Sequence, residues 1–115
     1  MLKVTLHAEC EREILEWAVE IQVAAYRVIQ GIALEAHRFQ SKLVNHSKVG
    51  NLTGFFKAYV DHDPNRYPEL PARYRLVFQL LPDPKTPKHL YVIAFGERDG
   101  LEVYHRAAMR LRDQG

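Results

Sequence analysis

The sequence predicts an α+β domain: helices first, then a small antiparallel sheet, then a closing helix. Three observations predict it. From Ala8 to Phe39 there is no proline, and apolar residues recur at three-and-four spacing. Between Phe55 and Phe95 the apolar period falls to two, in runs separated by proline-rich segments. Beyond Gly96 the helical spacing returns.

The first element is a short strand over Leu2–Leu6, where apolar and polar residues alternate briefly. In the helical segment that follows, Ile14, Trp17, Ala18, Ile21, Ala25, Val28, Ile32 and Phe39 mark one face. Leu15, Val19, Val23, Tyr26 and Ile29 mark a second, so the segment is covered on more than one side, by its own domain or by a partner helix. Unbroken, it would run about 48 Å at 1.5 Å per residue, more than a domain of 115 residues accommodates easily. A break near Ala18–Gln22 would give a helical hairpin; no strong breaker stands there, so one long helix is the other reading.

Polar residues from Gln40 to Thr53, with Gly50 and Gly54, read as a connector. Phe56, Ala58 and Val60 then alternate with Phe55, Lys57 and Tyr59 as in a strand. Asp61–Ala72 holds Pro64, Pro68 and Pro71 and reads as a loop, because proline lacks the backbone donor a strand needs. Tyr74, Leu76, Phe78 and Leu80 define the next strand, ended by Pro82, Pro84 and Pro87. Leu90–Phe95 is nearly all apolar and fits a central strand. Asp99, with Glu102 three residues later, forms a capping-box-like start to a last helix, whose face carries Leu101, Tyr104, Ala108 and Leu111.

Length and composition limit what this domain does. With 115 residues, 47% apolar and 26% charged, the chain makes one globular domain spanning 1–115. Its apolar runs are broken by Glu20, Gln22 and Arg27, far short of the roughly 18 to 20 residues that cross a bilayer. The first residues lack the pattern of a secretory signal, which places the protein in the cytoplasm and away from the membrane. Cys10 is the one cysteine and forms no internal disulfide. The net charge of +2 is mild, and from Lys57 onward ten Lys and Arg face eight Asp and Glu, so any polyanion must be recognised by local clustering. No glycine-rich phosphate loop, nucleophile elbow or paired-cysteine motif appears, and no cofactor is implied.

Lys57, Arg75 and Arg98 come from three separate segments that an antiparallel sheet brings onto one surface, with Tyr104 at its rim. Arginine grips phosphate through a bidentate fork and tyrosine stacks on an unpaired base, so such a surface suits RNA. The same alternation also describes the solvated face of an ordinary sheet.

Tyr74-Arg75-Leu76-Val77-Phe78-Gln79, then Val92-Ile93-Ala94-Phe95-Gly96-Glu97-Arg98, then Glu102-Val103-Tyr104 before a helix, resembles the C-terminal signature of the RelE/ParE toxin superfamily. Leu52-Thr53-Gly54 and Phe56-Lys57 resemble the strand entry that precedes it; the N-terminal helices match only in kind. The resemblance implies a toxin of a type II toxin–antitoxin system, wrapped or plugged by a cognate antitoxin, whose RelE-like members cut messenger RNA on the ribosome. In that chemistry the ribose 2′-hydroxyl attacks the adjacent phosphate, so a site needs a proton acceptor, positive charge for the phosphorane and a donor for the leaving oxygen.

By position, the resemblance makes Lys57 the residue for proton removal or charge stabilisation, and Arg75 the phosphate contact. It makes Arg98 an acid or phosphate clamp, and Tyr104 the residue that orients or stacks on substrate. An unperturbed arginine is a weak acid and a lysine a weak base, so charge stabilisation is the simpler role. Two positions depart from the pattern: Tyr59 stands where a second lysine is expected, and Glu97 where RelE-like members carry a basic residue. The loop over Asp61–Ala72 is also longer than usual.

Related toxins use histidine or glutamate as general base, which makes His105 and Glu97 secondary candidates, with Tyr59 a third at the position of the expected lysine, although on a helix His105 points about 100° from Tyr104. His62 and His89 lie in or beside loops, and His7, His37 and His46 lack paired spacing, so no metal site is expected. The alternative functions are a non-enzymatic ParE-like toxin that poisons DNA gyrase through protein contacts, and an inactive relative.

Overall fold

Two side chains, His7 and Gln22, set the limits of the first helices in the computed structural model, which describes residues 1–36, 41–42, 55–61, 73–97 and 102–114, with the backbone alone at 41–42 and 111–114. His7 Nδ1 accepts the Glu9 N–H at 3.1 Å and caps helix α1 (Ala8–Leu15). The chain then turns through Ala18, at φ −59° and ψ 155°, into α2 (Val19–Leu34). Gln22 Nε2 donates to Trp17 O at 2.9 Å and Leu15 O at 3.4 Å, satisfying carbonyls that the end of α1 leaves without helical partners. The segment is therefore a hairpin and not one long helix.

Five strands form one sheet in the order β1-β5-β4-β3-β2. They are β1 (Lys3–Leu6), β2 (Ser41–Lys42), β3 (Phe56–Val60), β4 (Tyr74–Leu81) and β5 (His89–Glu97). The expected antiparallel trio of β3, β4 and β5 is present, and β2 adds antiparallel to β3 within what the sequence suggested was only connector. The difference is at the opposite edge: β1 pairs with β5 in parallel, Lys3 beside His89 through Leu6 beside Val92, so the sheet is mixed. The helical hairpin carries the chain from one edge to the other, which leaves the first strand beside the last with the same direction.

Helix α3 (Glu102–Gln114) closes the fold. The hairpin packs on one face of the sheet, where Ile14, Ile21, Ile32, Phe56, Leu76, Phe78, Val92 and Phe95 are buried. Trp17 fixes the hairpin turn to that face by an edge-on contact with Tyr74, 5.1 Å between ring centroids. The other face receives α3, with Phe55, Val77, Ile93, Ala94, Val103, Ala107 and Ala108 buried between them. The buried line of α3 runs through Val103 and Ala107, with Tyr104 partly buried beside it; Leu101, Asp99 and the Leu111 side chain lie outside the described residues.

A β-bulge explains how β5 feeds both cores. Val77 pairs with Ala94 but Phe78 with Val92, so Ile93 is an extra residue. It lets Ile93 and Ala94 both face α3, while Val92 and Phe95 face the hairpin.

Beyond β1, the free edge of β5 is met by side chains. Glu13 of α1 accepts the Phe95 N–H at 3.4 Å, and Arg110 of α3 donates to Ile93 O at 2.7 Å. Glu13 also pairs with Arg110 at 2.7 and 2.9 Å and with Arg106 at 2.9 Å, so one carboxylate joins α1, β5 and α3. Among the described residues no helix is long and apolar enough to cross a membrane.

Candidate functional site

Strand alternation decides which candidates share a surface. Phe56, Ala58 and Val60 face the hairpin, so Lys57 and Tyr59 face the α3 side. On β4, Tyr74 and Leu76 face the hairpin, and Arg75 between them faces the α3 side too. Register then places Arg75 directly across from Tyr59 on one flank and from Gly96 on the other, with Lys57 opposite Val77 in the next row.

The side chains use that proximity. The Arg75 guanidinium carbon lies 4.2 Å from the centre of the Tyr59 ring, and Lys57 Nζ lies 5.6 Å from the same ring. Both distances fall within cation–π range. Arg75 is 8% exposed and donates from Nη1 to Tyr74 O at 3.0 Å, whereas Tyr59 is 53% exposed. A half-exposed aromatic ring is thus within reach of one buried and one partly buried cation.

One end of this surface is fixed by Arg73 and Asp61, at the start of β4 and just past β3. Arg73 donates from its backbone N, Nε and Nη2 to the Asp61 carboxylate at 3.2, 3.4 and 3.3 Å. Those hydrogen bonds hold the Arg73 guanidinium above its ordinary pKa, against the opposing effect of burial. The far side is bounded by α3, where Tyr104 packs against the cluster that includes Val77, the cross-strand partner of Lys57.

Of the residues singled out from sequence, the structure joins Lys57, Tyr59 and Arg75 in one cluster and puts Tyr104 on the same face. Glu97 pairs with Tyr74, one residue past Gly96, so alternation turns it from Arg75 toward the hairpin side. It also lines a cavity of about 140 Å³ at the end of β5, with Trp17 of the hairpin turn and with Gly96, Glu102, Val103 and Arg106 from β5 and α3. His105 is exposed on the next helical position after Tyr104. Arg98, Leu52-Thr53-Gly54, His37, His46, His62 and the loop over 62–72 lie outside the described residues.

The sequence did not reveal that Tyr59 covers Arg75. The tyrosine read as a lost lysine, and its signal lay in the cross-strand register, which is set across the long connection between β3 and β4. Among the described residues, no three His, Cys, Asp or Glu side chains gather as metal ligands do. Cys10 is fully buried, and that burial, with the Glu13 charge second, pushes its thiol up to about 12.

No protein-family model and no curated protein matches the sequence. Among solved structures, the fold is similar to that of a double-arginine mutant of the E. coli toxin RelE in the free state, with a TM-score of 0.63 at 14% identity. The likeness covers 96% of this chain and 97% of the other. The architecture is thus RelE-like from end to end.

Proposed function

We propose that this chain, built on the RelE fold, is the toxin of a type II toxin–antitoxin pair and an RNA endoribonuclease, ribosome-dependent or otherwise RNA-directed, acting in the cytoplasm without a cofactor. The observation that carries this reading is the Lys57, Tyr59 and Arg75 cluster on the α3 side of the sheet. Two cations from adjacent strands suit a phosphate, and Tyr104 on the same face suits its neighbouring base.

In the proposed reaction the 2′-oxygen forms a bond to the adjacent phosphorus and the 5′-oxygen leaves, giving a 2′,3′-cyclic phosphate and a 5′-hydroxyl. The 2′-hydroxyl proton passes to solvent water, and Lys57 favours that loss by the positive charge it sets beside the attacking oxygen. Arg75 stabilises the charge that builds on the phosphorane, where fixed cations act most strongly. Tyr104, at the α3 border, orients the neighbouring nucleotide, and Arg98 stabilises by its charge the leaving 5′-oxygen, which takes its proton from water.

The antitoxin partner has a candidate surface in the hairpin. Val19, Val23, Tyr26 and Leu34 are exposed at helical spacing along α2, and Leu15 is exposed at the end of α1, while Ile29, expected with them, is buried in the core. A stripe of this kind suits an amphipathic helix.

The test is a translation reaction programmed with a defined messenger RNA, with and without ribosomes, and with the new ends sequenced and chemically typed. New 5′-hydroxyl ends that disappear with Lys57→Ala and Arg75→Ala support the reading. Arrest of DNA supercoiling by gyrase with intact RNA would instead establish the ParE-like function, and neither effect would mean an inactive relative.

A further inference from the structure

Tyr59 is the residue at which this chain departs from a lysine-rich site, and the geometry gives it a different task. We propose that Tyr59 is a positioning residue: its ring holds the Arg75 guanidinium flat and aims it at the phosphate of a single-stranded RNA. The proposal rests on the endoribonuclease reading and specifies how one of its cations is oriented.

Tyr59 and Arg75 are direct cross-strand partners on the same sheet face, so their side chains leave the backbone side by side. At 4.2 Å from the ring centre the guanidinium is at stacking distance, and the ring accounts for part of the cover that leaves Arg75 only 8% exposed. A guanidinium stacked through its face still presents its N–H donors in its own plane. Nη1 donates to Tyr74 O at 3.0 Å, which restrains rotation within that plane. Ring and carbonyl together restrict both the tilt and the spin of the group.

A long arginine side chain otherwise loses rotamer freedom when it meets a phosphate, and prior restraint removes that cost from binding and from the transition state. A lysine at position 59 would add charge but repel Arg75. Tyrosine gives up that charge and supplies a surface on which Arg75 rests, with Lys57 Nζ 5.6 Å from the same ring.

The experiment measures kcat and KM for messenger-RNA cleavage in the translation reaction for wild type, Tyr59→Phe, Tyr59→Leu, Arg75→Lys and the Tyr59→Leu/Arg75→Lys double variant. The Arg75 side-chain Nε–H resonance is followed by NMR in parallel. Tyr59→Phe should keep cleavage within about twofold and the resonance in place. Tyr59→Leu should lose roughly five- to thirtyfold in kcat/KM, the range of a partly desolvated cation–π contact. Its melting temperature should hold while the Arg75 resonance moves.

The double variant should be no slower than Arg75→Lys alone, because the ring acts only through the guanidinium. Wild-type-like cleavage by Tyr59→Leu, or losses that simply add in the double variant, would overturn the positioning role. If Lys57→Ala and Arg75→Ala are also silent, or wild type does not cleave, the endoribonuclease reading itself fails and this proposal fails with it.

Discussion

Replacing Glu13 by alanine should be among the most damaging polar substitutions in this protein, and the size of the effect follows from what the carboxylate holds. Glu13 is 12% exposed, as is Arg110, and the two share contacts at 2.7 and 2.9 Å. Arg106, 38% exposed, adds a third contact at 2.9 Å, and the Phe95 N–H a fourth at 3.4 Å. Removing one partner of a buried pair costs roughly 3–5 kcal/mol, because the remaining charge stays desolvated. Arg106 reaches solvent and Arg110 keeps Ile93 O, which lowers the expectation to about 2–4 kcal/mol. For a domain of this size, that is a fall in Tm of about 8–20 °C.

The assay is urea unfolding followed by circular dichroism, with Glu13→Ala beside Arg12→Ala. Arg12 and Glu9 form an exposed pair, 71% and 51% accessible, and its loss should change stability by less than about 1 kcal/mol. A Glu13→Ala cost as small as that of Arg12→Ala would refute the argument that this carboxylate joins α1, β5 and α3.

Other expectations follow from particular contacts. Because burial pushes the Cys10 thiol up to about 12 from 9.0, a thiol reagent at pH 8 should label the unfolded chain and leave the native protein unmodified. The linked effect on stability has a definite sign: the unfolded thiol ionises first, so stability should be unaffected below about pH 9 and fall between pH 9 and 12. Cys10→Ala should remove that alkaline component, as read by urea midpoints across the range. At Gly96 an added Cβ would meet Arg106 Nη1 at 3.6 Å and Val103 Cβ at 3.7 Å, ordinary contact distances, so Gly96→Ala should cost less than about 1 kcal/mol in the same unfolding assay while Gly96→Leu costs several times more. Val23→Glu, at a position 42% exposed, should shift unfolding by less than about 0.5 kcal/mol yet weaken capture by a cognate antitoxin, measured by calorimetry.

Much of this fold is legible in the sequence because periodicity reports burial. Phe56, Ala58 and Val60, and Leu76, Phe78 and Leu80, announce β3 and β4 by alternation, and all are buried against the hairpin. The continuous apolar run of β5 hides its bulge, because Ile93 and Ala94 facing one side look like their neighbours when both faces are covered. The break after α1 carries no glycine or proline; it is held by Gln22 reaching back to Trp17 O, a tertiary arrangement with no local composition signal. The parallel pairing of β1 depends on where the hairpin delivers the chain, which spacing along four residues does not encode. At the candidate site, residue types pointed to Lys57 and Arg75, whereas the cover that Tyr59 provides depends on register.

The most direct test of the central claim is controlled expression in a bacterial host, with growth followed and new messenger-RNA 5′ ends mapped, beside Arg75→Ala, Lys57→Ala and Arg98→Ala variants of verified folding. Wild type should cause growth arrest and new 5′ ends, both lost when Arg75 or Lys57 is removed. Arrest that persists undiminished in those variants, or arrest without any new RNA ends, would contradict that claim.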